Sequence, residues 1–166
     1  RMMRLLGVEL AGRALRGDGS GAAIVHDIQA QMATAAGNNP SPELERLRQE
    51  AAALAGKRGE RGAAKRAEDQ EKRERRRALT DGWAYVLDGA AGLVADALAV
   101  AVGAEAAVRH RDHLDTLRTV GVPSRQAFLE RVLDEIQLTR TDMELNPTLD
   151  LAMEGLLARI AAARRG

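Results

Sequence analysis

The sequence predicts an all-α fold, and three observations predict it. Alanine, leucine, arginine and glutamate, all good helix formers, dominate the composition, whereas Phe, Trp and Tyr occur once each. Apolar side chains recur at steps of three and four rather than two. Short breaks bearing glycine or proline separate the periodic stretches. With 166 residues and 45% apolar content the chain can bury a real core. The expected architecture is an antiparallel helical bundle of about six or seven helices with one long central helix. It reads as a single helical domain over 1–166, in which 1–40 supplies N-terminal helices and linkers and 41–166 the main bundle.

Met2 to about Arg16 forms a short helix with Met3, Leu6 and Leu10 on one side, ended by the connector GDGSG at 17–21. A second helix, 22–36, carries Ile24, Ile28 and Met32 at four-residue intervals beside Val25, and GNNPSP at 37–42 stops it. Ser41, Pro42 and Glu43 then offer a hydroxyl N-cap, a proline for the first turn and an acid at the positive end of the helix dipole. Leu44, Leu47 and Leu54 mark the buried face of that third helix. Gly56, Gly59 and Gly62 interrupt the pattern, each costing about 1 kcal/mol relative to Ala inside a helix, so 56–64 reads as a loop.

From Ala64 onward the charges become regular. Glu68 precedes Lys72, Asp69 precedes Arg73 and Glu71 precedes Arg75 by four residues, each pair contributing about 0.2–0.5 kcal/mol to a helix. The apolar series Leu79, Trp83, Val86, Ala90, Leu93, Ala97, Ala101 alternates steps of four and three, which keeps one seam facing a neighbour. One helix over 65–102 is the simplest reading, with Thr80, Asp81 and Gly82 as an alternative start of a new one. Gly103 ends it. A charged helix over 109–120 turns Leu114 and Leu117 inward, GVPS at 121–124 follows, and 124–145 places Phe128, Leu129, Val132, Leu133, Ile136 and Met143 at helical spacing. Asn146 as N-cap and Pro147 as first residue open a last helix carrying Leu149, Met153, Leu156, Leu157 and Ile160.

Charge is unevenly placed. The stretch 57–77 holds ten Lys or Arg and five Asp or Glu, a net +5 that leaves −4 on the remainder, although the whole chain stands at +1. Cysteine is absent, which excludes disulfides, thiol catalysis and thiolate metal sites and accords with a cytoplasmic setting. Apolar runs are broken well before 18 residues, so neither a membrane span nor a signal peptide is expected. Opening on Arg1 rather than Met, the chain reads as a fragment of something longer.

The search for chemistry is short. A phosphate-binding loop fails because Gly56-Lys57 continues with Arg58, and Ala51 stands where its first glycine belongs. GDGSG lacks a preceding strand and a lysine, and reads as a linker. His110 and His113 share one face of a short helix with Asp112 and Asp115 nearby, but a metal needs three or four convergent ligands, and His26 stands alone. Ser20, Ser41 and Ser124 all sit at loops or caps. No catalytic, cofactor-binding or metal-binding residue is expected. In the basic run, Lys72, Arg73, Arg75, Arg76 and Arg77 are candidates for a weak nucleic-acid contact; acids in i, i+4 register would repel phosphate, and no aromatic residue is interleaved to stack on bases. The plainer reading is the wet face of a helix, and an acidic protein partner is the remaining one.

Two segments carry a family resemblance: EKRERRRALTDGWAYVLDGAAGLVADALAVAVGAE at 71–105 and NPTLDLAMEGLLARI at 146–160. Together they resemble the C-terminal collar of the delta-prime subunit of the bacterial DNA polymerase III clamp loader. In that family a basic stretch runs into a long helix, and a closing helix follows the pattern met here by Asn146, Pro147, Leu149, Leu151, Glu154, Leu156 and Leu157. The likeness covers about 75–165 and fades upstream. It implies a non-catalytic oligomerisation domain that packs against other clamp-loader subunits, motor and delta, for sliding-clamp loading in DNA replication, with the nucleotide-binding and lid domains lying outside this chain. Interface candidates are Trp83, Tyr85 and Leu87 on the long helix and Leu151, Leu156 and Ile160 on the last. The rival readings are a basic helical nucleic-acid-binding module and a ligand-sensing or dimerising helical domain of a regulator.

Overall fold

Seven α-helices make up most of the described residues, 2–36, 40–145 and 148–165 of a computed structural model, and no strand occurs among them. In chain order they are α1 (Met2–Arg16), α2 (Gly21–Ala36), α3 (Pro42–Ala53), α4 (Glu60–Ala101), α5 (Leu114–Val120), α6 (Gln126–Glu144) and α7 (Leu149–Arg165). The all-α bundle with one long helix expected from periodicity is what forms. Its chain divides into two compact units, one of 1–35 with 82–166 and the other of 36–81. The first 35 residues therefore belong with the C-terminal helices, a grouping that differs from the boundary near residue 41 read from the sequence.

In the larger unit the apolar stripes converge. Leu10 and Leu15 of α1, Ile28 of α2, Trp83, Leu87 and Leu93 of α4, Leu129 and Ile136 of α6, and Met153 and Leu156 of α7 are all buried. Helices α6 and α7 form an antiparallel pair. Arg159 Nε donates to Glu135 at 2.6 Å and its Nη2 to the Thr139 hydroxyl at 3.0 Å, which brings together residues about equally far from the connection. Contact between α1 and α4 is made through glycine. A Cβ on Gly7 would fall on the Val86 carbonyl oxygen, and one on Gly89 would fall on the Arg4 carbonyl oxygen. Backbones meet there at a distance no other residue permits.

The smaller unit is a helical hairpin of α3 and the first half of α4. Arg66 reaches Glu50 at 2.6 Å and Glu71 reaches Arg48 at 2.9 Å, partners placed almost symmetrically about the turn, so the two helices run antiparallel. Ser41 caps α3 as expected, its backbone extended (φ −63°, ψ 156°) and its hydroxyl accepting from Leu44 N at 3.1 Å.

Two expectations need correction here, and the alternative start at Thr80 falls away in favour of the single long helix. The loop read over 56–64 is shorter, because α4 already begins at Glu60, whose carboxylate accepts from Gly56 N at 2.8 Å; Gly62 lies inside the helix, its small cost absorbed by a long one. Thr80 starts no new helix, since its hydroxyl donates to Arg76 O one turn back at 3.1 Å. The helix read over 109–120 is a 3₁₀ turn, Arg111–His113, leading into the short α5, and a second 3₁₀ turn, Pro123–Arg125, precedes α6. Gly103 does end α4. With φ +78° it lets Ala104 N reach Ala99 O at 2.7 Å while Gly103 N bonds Val100 O at 3.0 Å, the paired closure of a Schellman motif. Asn146 and Pro147 lie outside the described residues.

Although Asp88 and Asp96 break its apolar run, α4 is by length and composition apolar enough to cross a membrane; an 18-residue window reaches mean hydropathy 1.5, and half of it is buried within the fold. The residues Trp83, Val86, Leu87, Ala90, Leu93, Val94 and Ala97 that raise this hydropathy are buried in the core of the larger unit.

Candidate functional site

Burial divides the six interface candidates into two groups. Trp83, Leu87, Leu156 and Ile160 are core residues, with Trp83 wholly buried, so they are not available to a partner without unfolding. This corrects four of the six. The reason is geometric: each of the four lies on the apolar seam that its helix turns to its neighbours, and the bundle buries it. Tyr85 and Leu151 lie off that seam and remain 53% and 68% exposed. Leu138 on α6 and Val102 past the end of α4 are also exposed, and the sequence reading missed both. The available signal was their position out of phase with the buried stripe.

The histidines separate. His110 turns to Asp96, its Nδ1 2.7 Å from Oδ2, and the same oxygen accepts the backbone N–H of Arg109 at 3.0 Å and of His110 at 2.7 Å. His113 instead lies 3.4 Å from Asp112. No group of three potential ligands converges among the described residues. Asp96 is only 2% exposed. Burial raises its carboxyl pKa and is the largest single influence, but the hydrogen bonds from His110 backbone and side chain and from Arg109 together outweigh it, leaving the carboxyl below its ordinary value. The arrangement ties the connection after α4 down onto that helix. Gly92 makes room for it, since a Cβ there would stand 3.1 Å from His110 Cε1. An acid set inside the run LVADALAV was the sequence signal for a buried partner, and it went unread.

The basic run is sorted by sign in the hairpin. Two of its acids turn to α3 and its cap: Glu74 accepts from the Ser41 hydroxyl and, at 3.3 Å, from Ser41 N, as well as from Gln70 at 3.0 Å, while Glu71 takes Arg48. Glu74 thus does from a neighbouring helix what the third residue of a capping box does from within its own. The Ser41 hydrogen bond, then that of Gln70, holds its carboxyl below the usual range. Of the three i, i+4 pairs expected, Glu68–Lys72 forms at 2.6 Å, Glu71 turns to α3 instead, and among the described residues Asp69 and Arg73 form no ion pair. Left outside are Lys72, Arg73, Arg75, Arg76 and Arg77, all exposed.

Concave surface is slight. A hollow of about 40 Å³ between Gly17, Gly21, Leu157 and Arg164 is barely larger than one water molecule, and an open groove of about 290 Å³ is walled by Glu105, Ala106, Val108, Arg111 and Leu114. Glu105 in that groove is paired with Arg118 at 2.5 Å, which lowers its pKa. Comparison with protein-family models, curated proteins and solved structures finds no match to the chain.

Proposed function

We propose that the chain is a non-catalytic helical assembly domain, acting in the cytoplasm as the collar of a DNA polymerase III clamp-loader subunit and packing against the motor and delta subunits. The observation that carries this reading is the outward placement of Tyr85 and Leu151. Each projects from a helix whose opposite side is core, and those helices, α4 and α7, bear the two segments on which the family resemblance rests. Large apolar side chains held exposed on rigid helices suit a protein partner better than water. An interface of this kind buries more than about 1,000 Å² in total, with such anchors near its centre.

The purified chain, mixed at micromolar concentration with clamp-loader motor and delta subunits, is expected to co-elute with them on gel filtration. Y85S combined with L151S weakens that association at least about tenfold, roughly the loss of two anchors, while leaving the helical circular dichroism unchanged. Wild-type chain that elutes alone overturns the reading.

A further inference from the structure

We propose that the α3–α4 hairpin carries a binding ridge for the phosphate backbone of duplex DNA, on a unit separate from Tyr85 and Leu151. Arg61, Lys65, Lys72 and Arg76 follow one another at steps of four, seven and four along α4, which puts them on a single stripe about 22 Å long at 1.5 Å per residue. The stripe lies opposite the face formed by Ala63, Ala67, Gln70 and Glu74, where the buried and half-buried residues of this segment gather. Arg73 and Arg75 flank it on either side, and among the described residues neither they nor Arg61 and Lys65 form an ion pair. Lys72 keeps 70% of its side chain exposed even though it touches Glu68.

The sequence objection to phosphate binding was the admixture of acids, and the hairpin largely removes it. Within 72–77 the one acid is Glu74, and it is turned inward onto Ser41. Glu71 and Glu50 are spent on Arg48 and Arg66. Glu68 and Asp69 are the acids that stay beside the stripe, near its middle. The segment 36–81 as a whole holds twelve Lys or Arg against nine Asp or Glu, and the rest of the chain holds thirteen against fifteen, so positive charge is concentrated on this unit.

Three further features select the occupant. The chain's Phe, Trp and Tyr are Phe128, Trp83 and Tyr85, all outside 36–81, so bases of a single strand find nothing to stack on. None of the large exposed apolar side chains falls in 36–81 either, which removes the anchors that an acidic peptide or a lipid surface needs. A row of cations along one helix face suits a stiff partner with phosphates on its outside, and binding of that kind reads charge and not sequence.

The test is fluorescence anisotropy of the intact chain with a labelled mixed-sequence duplex of about twenty base pairs. If four or five phosphates are neutralised, affinity falls on the order of a hundredfold between about 50 and about 200 mM salt. R61Q/K65Q/K72Q, exposed stripe positions whose loss leaves the fold intact by circular dichroism, reduces that dependence to about tenfold or less. An equal loss of charge on the other unit, R111Q/R131Q/R165Q, leaves it within about threefold of wild type. Absence of binding at low salt, a ridge variant indistinguishable from the control, or ridge-dependent binding to polyglutamate or phosphatidylserine vesicles that is tighter than to the duplex each overturns the proposal. None of these outcomes depends on whether the chain co-elutes with clamp-loader subunits.

Discussion

One carboxylate oxygen of Asp96 receives both the backbone N–H and the Nδ1 of His110. With the Arg109 N–H on the same oxygen, a single buried acid on α4 organises the whole connection that leads to α5.

The first prediction concerns that acid. A carboxyl whose folded pKa is below its unfolded value stabilises the fold fully above the unfolded value, near 4, and loses that contribution as pH falls through the folded pKa. D96N is therefore expected to cost about 1–3 kcal/mol at neutral pH, because a charged acceptor of several hydrogen bonds is replaced by a neutral one. The gap between wild type and variant narrows as the pH is lowered from about 5 toward 3. Thermal unfolding across this range measures it, and a gap that stays constant contradicts the account.

The second concerns two kinds of helical glycine. G89A and G7A each force a methyl group into a backbone carbonyl of the crossing helix, and a cost of about 3 kcal/mol, the upper end of overpacking losses, is expected for either. In G62A the new methyl meets nothing nearer than Arg66 Nη1 at 3.8 Å, and the helix gains up to about 1 kcal/mol from the better helix former. Denaturant midpoints of the three variants should thus move in opposite directions, and equal shifts would contradict the glycine-mediated crossing.

The third uses Trp83, the sole tryptophan and fully buried. Its fluorescence should resist acrylamide and iodide quenching in the free chain, and a readily quenched indole would return Trp83 to the surface. Its Nε1 has no hydrogen-bond partner among the described residues, so W83F forfeits no hydrogen bond and costs clearly less than the about 3–5 kcal/mol expected for W83A.

Helix formation was legible in the sequence because it is governed by short-range rules. The three-four spacing from Leu79 to Ala101, the Ser41-Pro42-Glu43 start and the Gly103 stop each act within a turn or two of chain, and each appears where periodicity and capping chemistry put it. What only the tertiary structure decided was the use made of each surface. Trp83 and Tyr85 are two residues apart and equally aromatic, yet one is core and the other faces solvent, because a helix rotates about 200° between them and only the position of the neighbouring helices tells which direction is inside. Likewise, Glu71 was read as the partner of Arg75 on its own helix; it binds Arg48 on another, and Glu74 binds Ser41 there, since folding back the hairpin brings α3 within reach of charges that in the sequence stand more than twenty residues away. Spacing along the chain determines which residues share a face, and packing determines whether that face meets protein or water.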